Sequence, residues 1–166
     1  MTSGNASALS RRDLFRRGKP ASAGLDLRPP PAVADFERRC DGCGACVPAC
    51  AETLLSLAEG RARIDFARGE CTFCGDCADA CDRGALSRAA LADWSGRPAV
   101  AASCLGRAGI ICRACGEACA HGAIRFAISV GGTPPAIELS ACTGCGACVA
   151  PCPVGAISIR RAEIAA

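Results

Sequence analysis

Four cysteines stand at positions 142, 145, 148 and 152, with Pro153 directly after the last. Thiols spaced C-x2-C-x2-C-x3-C-P form the bacterial ligand run for a [4Fe-4S] cluster. The spacing has a mechanical reason. A tight coil carrying Gly144 and Gly146 can turn three thiolates toward one cubane, while the fourth, beyond a longer spacer, points away. In two-cluster proteins that fourth cysteine ligates the other cluster, so one run implies a partner run elsewhere.

The chain supplies three more: Cys40, Cys43, Cys46, Cys50; then Cys71, Cys74, Cys77, Cys81; then Cys104, Cys112, Cys115, Cys119. All sixteen cysteines are thereby used. After each fourth cysteine comes a short bend and an apolar pair, and the fourth cysteines lie 31, 38 and 33 residues apart. A period of that size is one supersecondary unit, so the chain reads as an array of cluster-binding units. The third run departs from the pattern, because seven residues, Leu105 to Ile111, separate Cys104 from Cys112. An insertion there can loop out without moving the other three thiols. Four clusters are therefore predicted, or three if the Cys104 to Cys119 run is degenerate.

Two other uses of so many cysteines fit less well. A disulfide scaffold is the usual reading of a short, secreted, cysteine-rich chain, but these cysteines fall in quartets and no apolar signal segment is found. Zinc modules also use C-x2-C pairs. They separate the pairs by a long spacer, whereas here the third and fourth cysteines follow within the same coil.

Composition agrees with metal-dependent folding. Phe15, Phe36, Phe66, Phe73 and Phe126 are the only phenylalanines, Trp94 the only tryptophan, and tyrosine is absent. So thin a core leaves folding free energy to metal–thiolate bonds, and the apoprotein is expected to be largely unfolded. The formal charge of +3 counts cysteines as neutral. Each oxidised cluster with its thiolates carries about −2, which takes the loaded chain to about −5. Residues 1 to 39 hold eight Lys or Arg against four Asp or Glu, and residues 40 to 166 hold eleven against twelve. A basic head precedes an acidic body, with no basic stripe interleaved with aromatics, so nucleic acid is excluded as a partner class.

The elements that must position these thiols follow in order. Residues 1 to 39 read as a basic, largely disordered arm. Ser10-Arg11-Arg12-Asp13-Leu14-Phe15 resembles a twin-arginine export motif, but Arg16-Arg17-Gly18-Lys19-Pro20 follows it, leaving export no apolar region. The plain reading is a solvated basic helix on a mobile arm; the sharper one makes Arg11, Arg12, Arg16 and Arg17 a recognition arm. Pro29 to Pro31 is expected to be an extended spacer. Residues 40 to 88 form the first two-cluster unit, with strands at Leu54 to Leu57 and Ala62 to Phe66 and helical turns at Val47 to Cys50 and Ala78 to Cys81. Residues 89 to 98 are read as a linker, with a turn-rich break at Asp93 to Pro98 and Trp94 packed between the units. The second two-cluster unit covers residues 99 to 160, and 161 to 166 is a tail. Its strands are expected at Val100, Ile124 to Ile128, Ala136 to Leu139 and Ile157 to Ile159.

The exchange rule sorts the ligands into four sets. Cys40, Cys43 and Cys46 take Cys81, and Cys71, Cys74 and Cys77 take Cys50. Cys104, Cys112 and Cys115 take Cys152, and Cys142, Cys145 and Cys148 take Cys119. Ala51 and Asp82 stand where proline usually presets the turn after the last ligand. His121 falls at a bend that accepts Glu52, Arg83 and Val154 in the other copies, so it reads as structural. No nucleophile–base pair, phosphate loop, flavin fingerprint or open metal site emerges. The expected fold class is α+β: tandem ferredoxin-like units of the bacterial 2[4Fe-4S] type, with no enzymatic activity and no transmembrane segment.

Over nearly its full length the chain resembles the NapF-type ferredoxins of periplasmic nitrate reductase systems. The resemblance rests on Ser10, Arg11 and Arg12 in a basic head, two standard runs, the C-x7-C-x2-C-x3-C run from Cys104 to Cys119, and the clean run ending Cys152-Pro153. It implies a cytoplasmic accessory protein that contacts the catalytic subunit NapA before export and assists its maturation, by electron supply or cluster assembly. A plain polyferredoxin electron carrier of a respiratory or reductive complex is the alternative.

Overall fold

The computed structural model describes residues 27–161. Regular structure is sparse because most of the backbone is spent on turns around thiols. In the first half, β1 (Leu55–Ala58) and β2 (Arg61–Ile64) form an antiparallel hairpin with Leu55 opposite Ile64 and Ala58 opposite Arg61. The two connecting residues, Glu59 and Gly60, have φ of 51° and 67°. Two positive values in a two-residue loop make the type I′ turn whose twist suits a hairpin. The second half has an antiparallel pair in the same place, β4 (Ile124–Arg125) against β5 (Ala136–Ile137), joined by the longer connection 126–135.

Each half is closed by pairing its two ends. In the second half β3 (Gly96–Val100) lies antiparallel to β6 (Ile157–Arg161), in register from Gly96 opposite Arg161 to Val100 opposite Ile157. The first half has a single bridge in the same place, Ala32 opposite Leu86. Around it Val33 N–H donates to Ala85 (3.1 Å) and Ser87 N–H to Pro31 (2.8 Å).

That closure corrects the expected arm boundary. Residues 27–39 are part of the first half, not of a disordered head, and Pro29 to Pro31 is no spacer. All three prolines are fully buried, as is Phe36 in the one-turn helix α1 (Phe36–Arg39). A proline carries no amide hydrogen to be orphaned and loses little freedom when ordered, so a proline run is an inexpensive wall for a core short of large side chains. Arg11, Arg12, Arg16 and Arg17 lie outside the described residues.

The expected strands appear with shifted ends. The Ile124 to Ile128 strand is only two residues long and leaves Ile128 fully exposed, while the final strand runs on to Arg161. The expected linker contains a 3₁₀ turn at Arg88–Leu91, and its last residues, Gly96 to Pro98, enter β3. Pro98 is tolerated there because a two-stranded sheet leaves one edge of each strand free. Among the described residues no helix is long and apolar enough to cross a membrane.

The halves meet around Trp94, as its position between the runs predicts. The indole is buried, donates from Nε1 to the Gly144 carbonyl (3.2 Å), and lies 6.4 Å from the Phe66 ring. A Cβ on Gly146 would collide with Phe66, and one on Gly144 with the Gly96 carbonyl. Bare backbone at Gly146 is thus what lets the last cysteine run approach Phe66 of the first half, and at Gly144 what lets it close on Trp94 and β3.

Among the described residues, Arg63 is the charged side chain buried in the core. It stacks on Phe36 with its guanidinium carbon 5.8 Å from the ring centre, and donates to both Glu37 carboxylate oxygens (3.2 and 3.3 Å). Burial opposes ionisation of Glu37, but Arg63 and Arg28 outweigh it and hold the carboxyl below its ordinary 4.5. A carboxyl depressed on folding contributes stability that is complete above the unfolded value and is lost as pH falls through the folded one. Glu37→Gln is therefore expected to lower stability by about 0.5–1 kcal/mol, discounted because the carboxylate is partly exposed. The loss should be constant from about pH 6 to about pH 8; urea unfolding of the anaerobic holoprotein checks it, and a pH-dependent difference would contradict the assignment.

Candidate metal centre

The four cysteine runs share one backbone path. In each, the residue after the third cysteine donates back to the residue after the second, and the fourth cysteine then donates to that same residue. The pairs are Val47 to Gly44 with Cys50 to Val47, Ala78 to Gly75 with Cys81 to Ala78, Gly116 to Arg113 with Cys119 to Gly116, and Val149 to Gly146 with Cys152 to Val149, all within 2.8–3.2 Å. In the second and third copies the turn is regular enough to count as helix, α2 (Asp76–Asp79) and α3 (Ala114–Glu117). The first and last remain hydrogen-bonded turns.

Two backbone positions of the repeat take a left-handed conformation, the first in three of the copies and the second in all four. Between the second and third cysteines stand Gly44, Gly75 and Gly146, with φ of 81°, 83° and 84°. The third run has Arg113 there instead, at φ −126°. Three residues past the fourth cysteine stand Gly84, Gly122 and Gly155, with φ of 62°, 59° and 60°, and Thr53 with φ of 54°. Each of these closes the same turn onto its fourth cysteine: Thr53 to Cys50, Gly84 to Cys81, Gly122 to Cys119 and Gly155 to Cys152, all within 2.9–3.2 Å. The turn therefore forms with or without a proline after the ligand. A glycine three places beyond three of the four last cysteines is a sequence signal that attention to the proline position overlooks.

These paths gather the thiols in a crossed manner. Cys40, Cys43, Cys46 and Cys81 line one cavity, with Gly42, Leu57 and Leu86. Cys50, Cys71, Cys74 and Cys77 line a second, against Pro29 to Pro31, Leu54 and Ile64. Cys119, Cys142, Cys145 and Cys148 line another, with Pro98, Ile124 and Ile159; His121 stands at its rim, exposed. In these three cavities the three-thiol run thus faces the fourth cysteine of its partner run. Cys112 and Cys152 stand beside Cys115. Cys104 is half-buried at the start of the inserted loop, its carbonyl receiving the Arg107 amide (2.9 Å) and the Ala108 amide (3.3 Å). The insertion folds outward onto the 131–133 turn, where Gly132 N–H donates to Gly109 (2.8 Å).

Burial first, and then the neighbouring thiols, makes the innermost cysteines reluctant to ionise. Cys46 is pushed up to about 11 and Cys71 to about 11. Cys77 and Cys148 reach about 12. Clustered bare thiolates would be unfavourable in such surroundings, whereas a cationic core reverses that logic and deprotonates its ligands outright. One sulfur also receives a backbone donor, Ala156 N–H to Cys152 Sγ at 3.1 Å. Among the described residues no three or more His, Cys, Asp or Glu side chains converge on a single-ion point. The thiols stand around cavity walls instead. An all-sulfur donor set, four to a cavity and backed by apolar side chains, fits a [4Fe-4S] core.

A chain that wraps cysteine quartets in this way is an iron–sulfur protein. A family profile described as a 4Fe-4S dicluster domain matches residues 39–85 and 110–162. The ferredoxin-type protein NapF of Escherichia coli K12 is 35% identical over 153 residues, covering 90% of this chain and 93% of that one. The NapF protein of Haemophilus influenzae is 40% identical over 140 residues, covering 82% and 80%. A more distant match, the ferredoxin-type protein NapG of H. influenzae, is 31% identical over 166 aligned positions, covering 84% and 60%. The chain belongs to the NapF family of ferredoxin-type proteins, and is an iron–sulfur electron-transfer protein.

Two predictions follow from the geometry. If Cys81 serves the Cys40 cavity, the double variant Cys43→Ala/Cys81→Ala should lose the iron of one cluster, about four, while Cys74→Ala/Cys81→Ala should lose that of two, about eight. Iron analysis giving the reverse order would mean that the runs are not crossed. Thr53 is exposed and β-branched, a costly residue at positive φ, so Thr53→Gly should stabilise the holoprotein by about 1 kcal/mol, read as an upward shift in its denaturation midpoint.

Proposed function

We propose that the chain carries four [4Fe-4S] clusters in tandem ferredoxin-like units. It serves in the cytoplasm as an accessory of NapA, the catalytic subunit of periplasmic nitrate reductase, assisting its maturation before export. The observation that carries the reading is the crossed gathering of Cys40, Cys43, Cys46 with Cys81, of Cys71, Cys74, Cys77 with Cys50, and of Cys142, Cys145, Cys148 with Cys119. Membership of the NapF family supports the choice of client.

When bound, a cluster supplies reversible one-electron exchange. The protein's own part is to hold four thiolates at fixed separations and to exclude water with the apolar wall of each cavity. It also gives a backbone hydrogen bond to sulfur, as Ala156 does at Cys152. Hydrogen bonds to sulfur and solvent exposure set the potential of such a cluster. With four thiolates on four irons there is no vacant coordination position, so the chain acts as a redox module and not as an enzyme. Cys104 is the proposed fourth partner of Cys112, Cys115 and Cys152.

The test has two parts. Anaerobically purified protein should contain about sixteen iron and as much acid-labile sulfide per chain, and give an EPR signal after dithionite. About twelve would remove Cys104 from the ligands, and zinc without a reducible signal would overturn the assignment. Deleting residues 1–25, which stops short of Leu27 and its bond from Ile64 N–H (3.0 Å), should leave the iron in place and lower nitrate reductase activity in cells. Full activity after that deletion would favour a general polyferredoxin carrier.

A further inference from the structure

The halves are joined at one point by two of the cysteines themselves. Cys71 N–H donates to the Cys145 carbonyl at 2.8 Å. Cys71 lines the second cavity and Cys145 the one formed by the last run, so this bond spans two cradles belonging to different halves. The wall beside it is closed by Phe66, which packs on Gly146, and by Trp94, bonded to Gly144. Both rings are buried.

Within each half, neighbouring cradles share a wall of a different kind. Cys46 and Cys50 sit on one turn yet line different cavities, and so do Cys77 and Cys81. The turn from Cys148 to Cys152 does the same in the second half, with Cys148 in the last-run cavity and Cys152 beside Cys115. The thiols at the three boundaries are mutual neighbours: Cys46 lies by Cys77, Cys71 by Cys145, and Cys148 by Cys115.

We propose that the four cradles form one series in an order that differs from the sequence: the Cys40 cradle, the Cys71 cradle, the Cys142 cradle and then the Cys112 cradle, with Cys71 and Cys145 as the crossing between halves. The last two runs are therefore reversed relative to the chain. The Cys40 and Cys112 cradles are the two ends, where an electron enters or leaves, and the Cys71 and Cys142 cradles are internal. One-electron exchange between adjoining cradles oxidises one centre as it reduces the next, with no bond made and no co-reactant. The inference rests on the iron–sulfur reading above.

The test uses magnetic interaction, which falls with the inverse cube of distance, in fully reduced protein. Cys43→Ala and Cys112→Ala each remove one end and should leave about twelve iron. In a series, the three remaining centres stay coupled in both variants, and no isolated signal appears. In two separate pairs, Cys43→Ala would strand the Cys71 centre and Cys112→Ala the Cys142 centre, each giving a sharp uncoupled EPR signal; that result overturns the proposal. As a control, Cys142→Ala should strand the Cys112 centre and produce such a signal. Either end variant decides alone. If both lose more iron than expected, the parent spectrum decides, since one four-centre chain and two separate pairs simulate differently. Failure of the underlying reading is distinct: the parent would then show no reducible iron, whereas failure of the series leaves full iron with uncoupled signals.

Discussion

The structure depends on a single geometric constraint: three cysteines of a run face one cavity and the fourth, one turn later, faces another. The turn that separates them is fixed by two backbone hydrogen bonds that recur in all four copies. Its consequence is that no run can complete its own site. Two runs must lie side by side with their last thiols exchanged, which places the segment between them in a hairpin and brings the ends of each half together. The β1–β2 and β4–β5 hairpins, the β3–β6 pair and the Ala32–Leu86 bridge are the chain's ways of satisfying that demand.

The same constraint explains a core that would otherwise be too small. Cys46, Cys115 and Cys148 are buried members of the hydrophobic cluster, beside Phe36, Leu54, Ile64 and Ile157. As free thiols they are held neutral, as is Cys77; Cys77 and Cys148 are raised to about 12 by burial and then by the other thiols around each of them. The folded arrangement is therefore one in which protons and iron compete for the same sulfurs, and loading releases the protons. What a larger protein achieves with aromatic side chains, this chain divides between thiolates and an inexpensive wall of prolines.

Much of this was legible in the residues. The spacing of the cysteines and the exchange rule anticipate which thiols meet around three cavities, and the alternation from Ala62 to Phe66 anticipates β2. The limits of legibility are physical. A run such as Pro29-Pro30-Pro31 has no periodicity, and its burial depends on a cavity wall supplied by residues 50 to 91. The left-handed requirement three residues past each fourth cysteine is visible as Gly84, Gly122 and Gly155 only once the copies are aligned on that position, and Thr53 hides it in the first. The inserted loop after Cys104 conceals its geometry for a different reason: nothing in seven residues of spacing says whether they fold outward, and the Gly132 to Gly109 bond that decides it comes from a turn more than twenty residues away.

The joint between the halves shows how unevenly the array is secured. Inside a half, adjacency of two cradles is enforced covalently, because consecutive thiols of one turn belong to both. Between halves, among the described residues, it rests on one amide-to-carbonyl bond, Cys71 to Cys145, on the bond from the Trp94 indole to Gly144, and on shape. A hydrogen bond of that kind contributes only about 1 kcal/mol net, too little to fix two units against each other. The remainder must come from burial, and it is here that the chain places its only tryptophan and one of its five phenylalanines, opposite two glycines that let the backbone close in. In a protein with so few large side chains, their concentration at this boundary is what a fixed separation between Cys71 and Cys145 requires. A joint free to open would need neither ring.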